Sequence, residues 1–140
     1  MTQPCIGVVV VGHGNFAPAM VQAARSILGD ISHVVGVAID SSAPVELNRQ
    51  QIASAIREVD LGHGVVLLTD MFGGTPSNLC LSFLQPKLLE VISGVNLPML
   101  IKLAGGLQRE PFEKIIPFLQ IYGQKNIVNA SNVLQGKLDE

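Results

Sequence analysis

Three stretches of this chain place residues capable of chemistry beside residues that would present them: Gly12-His13-Gly14, Gly62-His63-Gly64, and Asp70-Met71-Phe72-Gly73-Gly74-Thr75-Pro76. An unperturbed imidazole, with a pKa of ~6.5, is substantially unprotonated near neutral pH and can act as a nucleophile. A carboxylate that accepts a hydrogen bond from one ring nitrogen fixes the tautomer and leaves the other nitrogen's lone pair aimed outward. It also stabilises the cationic character that develops when that nitrogen is attacked or phosphorylated. Asp70 is the candidate carboxylate and His13 the candidate nucleophile. The loop after Asp70 supplies what an incoming phosphoryl group needs. Gly73 and Gly74 permit close backbone approach, the helix start at Thr75-Pro76 offers unpaired N–H groups, and Thr75 adds a hydroxyl. Gly14 and Asn15, leading into the first helix through Ala17, form a second such start. Neither loop carries Lys or Arg, and the GxxxxGK[ST] pattern is absent. That argues against binding and splitting a nucleoside triphosphate, so the phosphate is expected to arrive on another protein.

These residues must be placed by the elements around them. Continuous β-branched runs alternate with segments of helical period, the pattern of an α/β fold whose parallel sheet is covered on both faces. Strands are expected at Ile6–Val11, Val34–Ile39, Val65–Thr69 and Leu88–Ile92, with a weaker fifth around Ile127–Val133. Helix 1 carries Met20, Val21, Ala24, Ile27 and Leu28 on one face, with Pro18 in its first turn and Gly29 at its stop. Helix 2 begins near Pro44 and turns Val45, Ile52, Ile56 and Val59 inward. Helix 3 opens at Thr75 as N-cap and stops before Pro86. Asn96 caps a short helix through Leu103, ended by Gly105-Gly106. Phe112, Ile115, Ile116 and Leu119 form a last stripe, which Pro117 should kink or shorten.

In a parallel sheet His13 follows strand 1, whereas His33 and His63 precede strands 2 and 3, so they fall at the opposite edge. A strand of about five residues puts ~17 Å between the edges, which excludes a zinc cluster of the three histidines. His13, Asp40 and Asp70 share the carboxyl edge, where open α/β sheets bind ligands. Strands lie ~4.8 Å apart. In the order 2-1-3-4 His13 and Asp70 emerge side by side; in the order 3-2-1-4 they do not. The residues alone leave that order open.

Structural roles compete with each of these assignments. Gly12 and Gly14 serve equally as turn residues, Asp70 as a loop cap, and Thr75 as an N-cap. Met71 and Phe72 are either core residues folding back or exposed anchors for a docking partner, and docking is the expectation. His33 and His63 read as solvated loop residues, and Asp40 as a helix 2 entry or rim residue. Gly12-His13-Gly14-Asn15-Phe16-Ala17 also satisfies G-x-G-x-x-[GA] after a strand, with Asp40 where a ribose-binding acid would stand. That dinucleotide-binding alternative leaves the loop after Asp70 unexplained and little chain for a second mononucleotide half.

Composition narrows the field. The chain has 140 residues, 48% apolar and 14% charged, which fits one domain (1–140) and excludes disorder. A net charge of -2 and the lack of Trp argue against nucleic-acid binding. No apolar run approaches the ~20 residues of a membrane span. Met1-Thr2-Gln3-Pro4 lacks the features of a signal peptide, so the cytoplasm is expected. Cys5 and Cys80 lack CxxC spacing and read as buried hydrophobes, not as a disulfide or metal ligands. No metal or cofactor is called for.

Three blocks together resemble one family. Val8–Gly14, the stretch Leu68-Thr69-Asp70-Met71-Phe72-Gly73-Gly74-Thr75-Pro76-Ser77-Asn78, and Val91–Leu100 are similar to the IIA component of the mannose family of the bacterial phosphoenolpyruvate-dependent sugar phosphotransferase system. The second block is the most specific, and the C-terminal third is the weakest match. The resemblance implies that His13 accepts a phosphoryl group on Nε2 from the phosphohistidine of the carrier protein HPr and passes it to a IIB protein. Asp70 would meet the other ring nitrogen, with the Thr75 hydroxyl and nearby amides assisting. It also implies a flavodoxin-like three-layer fold of order 2-1-3-4, and a homodimer exchanging a C-terminal edge strand, for which Ile127–Val133 is the candidate. A IIB domain is not recognisable in the chain. Some similar proteins regulate rather than transport, and these residues do not separate the two uses or reveal the sugar.

Overall fold

A computed structural model describes residues 4–136. Four parallel strands, β1 (Gly7–His13), β2 (Val34–Ile39), β3 (Val65–Thr69) and β4 (Leu89–Ser93), form one sheet in the order β2-β1-β3-β4. The register pairs His13 with Ile39, Val11 with Thr69, and Thr69 with Ser93, so these strand ends form one edge. Val8 to Val11 and Val66 to Leu68 are fully buried, as strands covered on both faces must be. Alternation splits them between two cores. Val8, Val10, Val66 and Leu68 pack under α1 (Phe16–Leu28), α4 (Leu97–Ala104) and α5 (Phe112–Lys125). Val9, Val11, Val65 and Leu67 pack under α2 (Val45–Val59) and α3 (Thr75–Leu81). Each buried Val or Leu contributes about 1.5–3 kcal/mol, which is why these runs dictate the architecture. Gly36 in β2 lets α1 close onto the sheet: a Cβ there would lie 2.8 Å from the carbonyl of Ala17.

Local signals behave as their chemistry requires in some places and not in others. Asn96 caps α4 by accepting the Met99 amide at 3.1 Å. Pro117 neither ends nor shortens α5, which runs 14 residues through it. Both Pro117 and Glu113, whose carbonyl the proline cannot engage, are exposed, so the missing helical bond falls on the solvent face and not in the core. The inward stripe expected on helix 1 stops early, because Ile27 is 60% exposed in the last turn. Val45 is likewise exposed at the start of α2, and the buried Asn48 is the inward residue there, its amide donating to the Asp40 carbonyl at 2.8 Å.

The fifth strand expected at Ile127–Val133 is absent among the described residues. A short helix, α6 (Ala130–Leu134), stands there instead. Asn129 drives the difference: its side chain accepts the amides of Ser131 and Asn132, an N-cap that commits the following turn to helix despite the β-branched neighbours.

Candidate functional site

The neighbour relation that the residues left open is settled by the sheet order, which places β1 beside β3. His13 ends β1, and Asp70 follows β3 by one residue. The Asp70 amide donates to the Val11 carbonyl at 3.2 Å, extending the ladder to the point where the two side chains meet. His13 Nδ1 lies 2.7 Å from Asp70 Oδ2, and the His13 amide donates to the same oxygen at 2.9 Å. Oδ1 accepts the Met71 amide at 2.9 Å. The carboxylate is therefore held by three donors on two elements. Burial alone would raise the Asp70 pKa; the bonds from the His13 amide and ring and from the Met71 amide outweigh it, and the carboxyl sits below its ordinary value.

An ionised carboxylate only accepts, so the ring proton resides on Nδ1 and the lone pair on Nε2. The His13 side chain is 44% exposed and that of Asp70 13%, which leaves Nε2 open to a partner while its orienting group is shielded. Gly74, at φ +88°, stands over that nitrogen: a Cβ on it would lie 3.4 Å from Nε2 and 3.3 Å from Cε1. Gly73 has φ +89°. The amides of Gly73, Gly74 and Thr75 have no backbone acceptor among the described residues and remain available to an anion.

Of these groups Gly74 lies at the His13 ring, and two details differ from the sequence reading. The N-cap of α3 is Gly74, not Thr75, and no side-chain bond caps the helix, so the Thr75 hydroxyl is released from that structural role. The Gly14 amide donates to the Ile39 carbonyl at 3.1 Å and is thus spent, although Gly14 still turns the chain at φ +53° and leads to Asn15, the N-cap of α1. Met71 and Phe72 are exposed, Phe72 at 76%, and so are not core residues folding back. Phe72 opens a groove of about 360 Å³ also lined by Ser93, Asn96 and Met99.

His33 and His63 precede β2 and β3 at the far edge, and no cluster of metal-ligating side chains occurs among the described residues. Asp40 directs Oδ1 to the amide and hydroxyl of Ser42, at 3.0 and 2.7 Å, closing its own turn.

Comparison with known proteins gives the family and the fold. The PTS system fructose IIA component family, of the sugar phosphotransferase systems, matches residues 7–119. The chain belongs to that family. Within it, the chain is similar to the PTS system fructose-specific EIIA component of Bacillus subtilis (strain 168), 25% identical over 93% of this chain and 90% of that protein. It is also similar to the PTS system sorbose-specific EIIA component of Lacticaseibacillus casei, 30% identical over 69% of this chain and 70% of that protein. In fold it is similar to the crystal structure of phosphotransferase system component EIIA from Streptococcus agalactiae. That match has a TM-score of 0.80 and 24% identity, covering 91% of this chain and 98% of that one. A phosphotransfer role in a sugar phosphotransferase system comes with IIA membership, and it replaces the dinucleotide-binding alternative. No helix among the described residues of this IIA chain is long and apolar enough to cross a membrane.

What sequence reasoning missed at the site is the bracing of its loop. Thr69 and Ser93 are register partners with their hydroxyl oxygens 2.6 Å apart, a contact that no local pattern announces.

Proposed function

We propose that His13 is a transient phosphoryl carrier, charged on Nε2 by the phosphohistidine of HPr and discharged to a IIB protein. The observation that carries this reading is the 2.7 Å contact between His13 Nδ1 and Asp70 Oδ2, which leaves Nε2 as the free nucleophile. The Nε2 lone pair forms the new P–N bond as the bond from phosphorus to the donor imidazole breaks, and the electron pair leaves with the donor ring. The proton on Nδ1 stays on the Asp70 hydrogen bond, which stabilises the positive character of the phosphorylated ring. The amides of Gly73, Gly74 and Thr75, with the Thr75 hydroxyl, receive the phosphoryl oxygens, and Asn15 flanks them from the start of α1. Attack by the IIB acceptor reverses the sequence of events. Met71 and Phe72 serve as docking anchors for these protein partners, since both are exposed apolar residues in the loop that follows Asp70.

The whole chain acts as one cytoplasmic IIA domain that works as a homodimer. In support of the dimer, β4 ends the sheet, and Ile127 and Leu134 beyond α5 are 79% and 87% exposed. Light scattering on purified protein tests that part.

The central test is incubation with phosphoenolpyruvate, Enzyme I and HPr. The expected result is one acid-labile, alkali-stable phosphate per chain, lost in His13→Ala. Labelling that persists in His13→Ala, or no labelling of the native chain, overturns the reading.

A further inference from the structure

Thr69 is the one polar residue in the otherwise aliphatic strand Val65-Val66-Leu67-Leu68-Thr69, and it is fully buried. A buried hydroxyl costs stability unless it is hydrogen-bonded, so its partners matter. They are Ser93 Oγ at 2.6 Å, across the β3–β4 pair, and the Met71 carbonyl at 3.3 Å. A hydroxyl has one proton. Thr69 Oγ1 is placed to donate to either oxygen; when its proton goes to the Met71 carbonyl, the Ser93 hydroxyl rotates to donate to Thr69, and the chain then runs from Ser93 through Thr69 to Met71. The backbone reinforces it, because the Thr69 carbonyl accepts the amides of both Gly94 and Val95 at 3.0 Å.

The consequence falls on Asp70. Met71 is gripped at both ends, its carbonyl by Thr69 and its amide by Asp70 Oδ1, while Asp70 Oδ2 holds His13. The orientation of the carboxylate is thereby tied to a residue that Thr69 holds in place. We propose that Thr69, backed by Ser93, is a positioning residue for phosphoryl transfer: this hydroxyl clamp sets the Asp70 carboxylate, and through it the His13 tautomer, and fixes the start of the loop to Gly74. The inference rests on the carrier reading of His13. No hydrogen bond among the described residues joins Thr69 to His13. The clamp acts through Met71 and Asp70, and Ser93 forms its outer end at the groove beside Phe72.

The test uses the full chain in three variants: Thr69→Val, which keeps shape and removes the hydroxyl, Thr69→Ser, which restores it, and Ser93→Ala. Single-turnover transfer from saturating phospho-HPr gives the limiting rate apart from docking affinity, and ¹⁵N NMR of the His13 ring gives the Nδ1–H tautomer fraction. Thr69→Val is expected to slow the limiting rate about tenfold, the equivalent of one hydrogen bond, and Ser93→Ala about threefold. Thr69→Ser should return to within about twofold of the native rate. The tautomer fraction should fall in Thr69→Val and recover in Thr69→Ser, which a loss of packing alone would not produce. A folded Thr69→Val with native rate and native tautomer fraction overturns the proposal. If Thr69→Val does not fold, the half-buried Ser93→Ala decides, and native values there overturn it equally. Should the native chain accept no phosphate, the carrier reading has failed, and the tautomer comparison alone then decides whether the clamp exists.

Discussion

Asp70 Oδ2 accepts both the amide and the ring nitrogen of His13, at 2.9 and 2.7 Å, so one oxygen fixes where the histidine's backbone sits and which way its ring faces. The other oxygen is occupied by the Met71 amide. An asparagine at position 70 cannot reproduce this set. With its NH₂ toward Met71 it meets a donor, and with its NH₂ toward His13 it meets the His13 amide and forces Nδ1 to accept, moving the proton to Nε2. Asp70→Asn is therefore expected to slow phosphorylation of His13 roughly 100-fold while far-UV circular dichroism stays native. Native transfer rates in that variant would remove the carboxylate from the mechanism.

The same bonds make a prediction about acid. The Asp70 carboxyl lies below its ordinary value in the folded chain, so the folded state favours the ionised form. Its stabilising contribution is complete above the unfolded carboxyl's pKa of ~3.9 and is lost as the pH falls through the folded value. Urea midpoints of the native chain and Asp70→Asn, measured from pH 3 to 7, should differ by a constant amount at the neutral end and converge at the acid end. Curves that stay parallel down to pH 3 would show that the contacts do not favour the carboxylate.

Much of this was readable from residue order. The four strands announce themselves because burial on both faces demands unbroken aliphatic runs, and helix stops at glycines carry their own steric reason. The edge that each histidine occupies follows from chain direction alone. The adjacency of β1 and β3 did not follow from residue types, because both strand orders bury the same runs equally well; the family resemblance supplied it. Ile127 to Val133 misled for a different reason. β-branched residues favour strands only where a neighbouring strand pairs with them, and Asn129 offered a local cap first. Gln108 was invisible: it is buried, donating to the carbonyls of Ile6 and Ser32 from 102 and 76 residues away, and no periodicity encodes such a contact. Thr69 and Ser93 belong to the same class.

Cys80 lies in α3 beneath the site, fully buried, and desolvation pushes its thiol up to about 12, with the Asp70 charge adding to the effect. Thiolate, not thiol, reacts with alkylating agents. At pH 8 iodoacetamide should modify the half-buried Cys5 first and leave Cys80 intact until the chain unfolds. Peptide mapping by mass spectrometry reads this directly, and early modification of Cys80 under native conditions would mean that α3 opens readily.

Gly73 and Gly74 allow the backbone and the site to be separated experimentally. Their φ values are +89° and +88°, so an alanine at either is strained, and at Gly74, where ψ is 172°, it enters a region that essentially only glycine occupies. Their surroundings differ. A Cβ on Gly73 meets nothing within 4 Å, whereas one on Gly74 sits 3.4 Å from His13 Nε2, the nitrogen proposed to receive phosphorus. Compared at a temperature where thermal unfolding shows both variants folded, Gly74→Ala should lose far more of its phosphorylation rate, about tenfold or more beyond Gly73→Ala. Equal rates in the two variants would mean that phosphorus reaches His13 from another side. A rate loss larger in Gly73→Ala would point to its amide, not to clearance at Gly74, as the more demanding requirement.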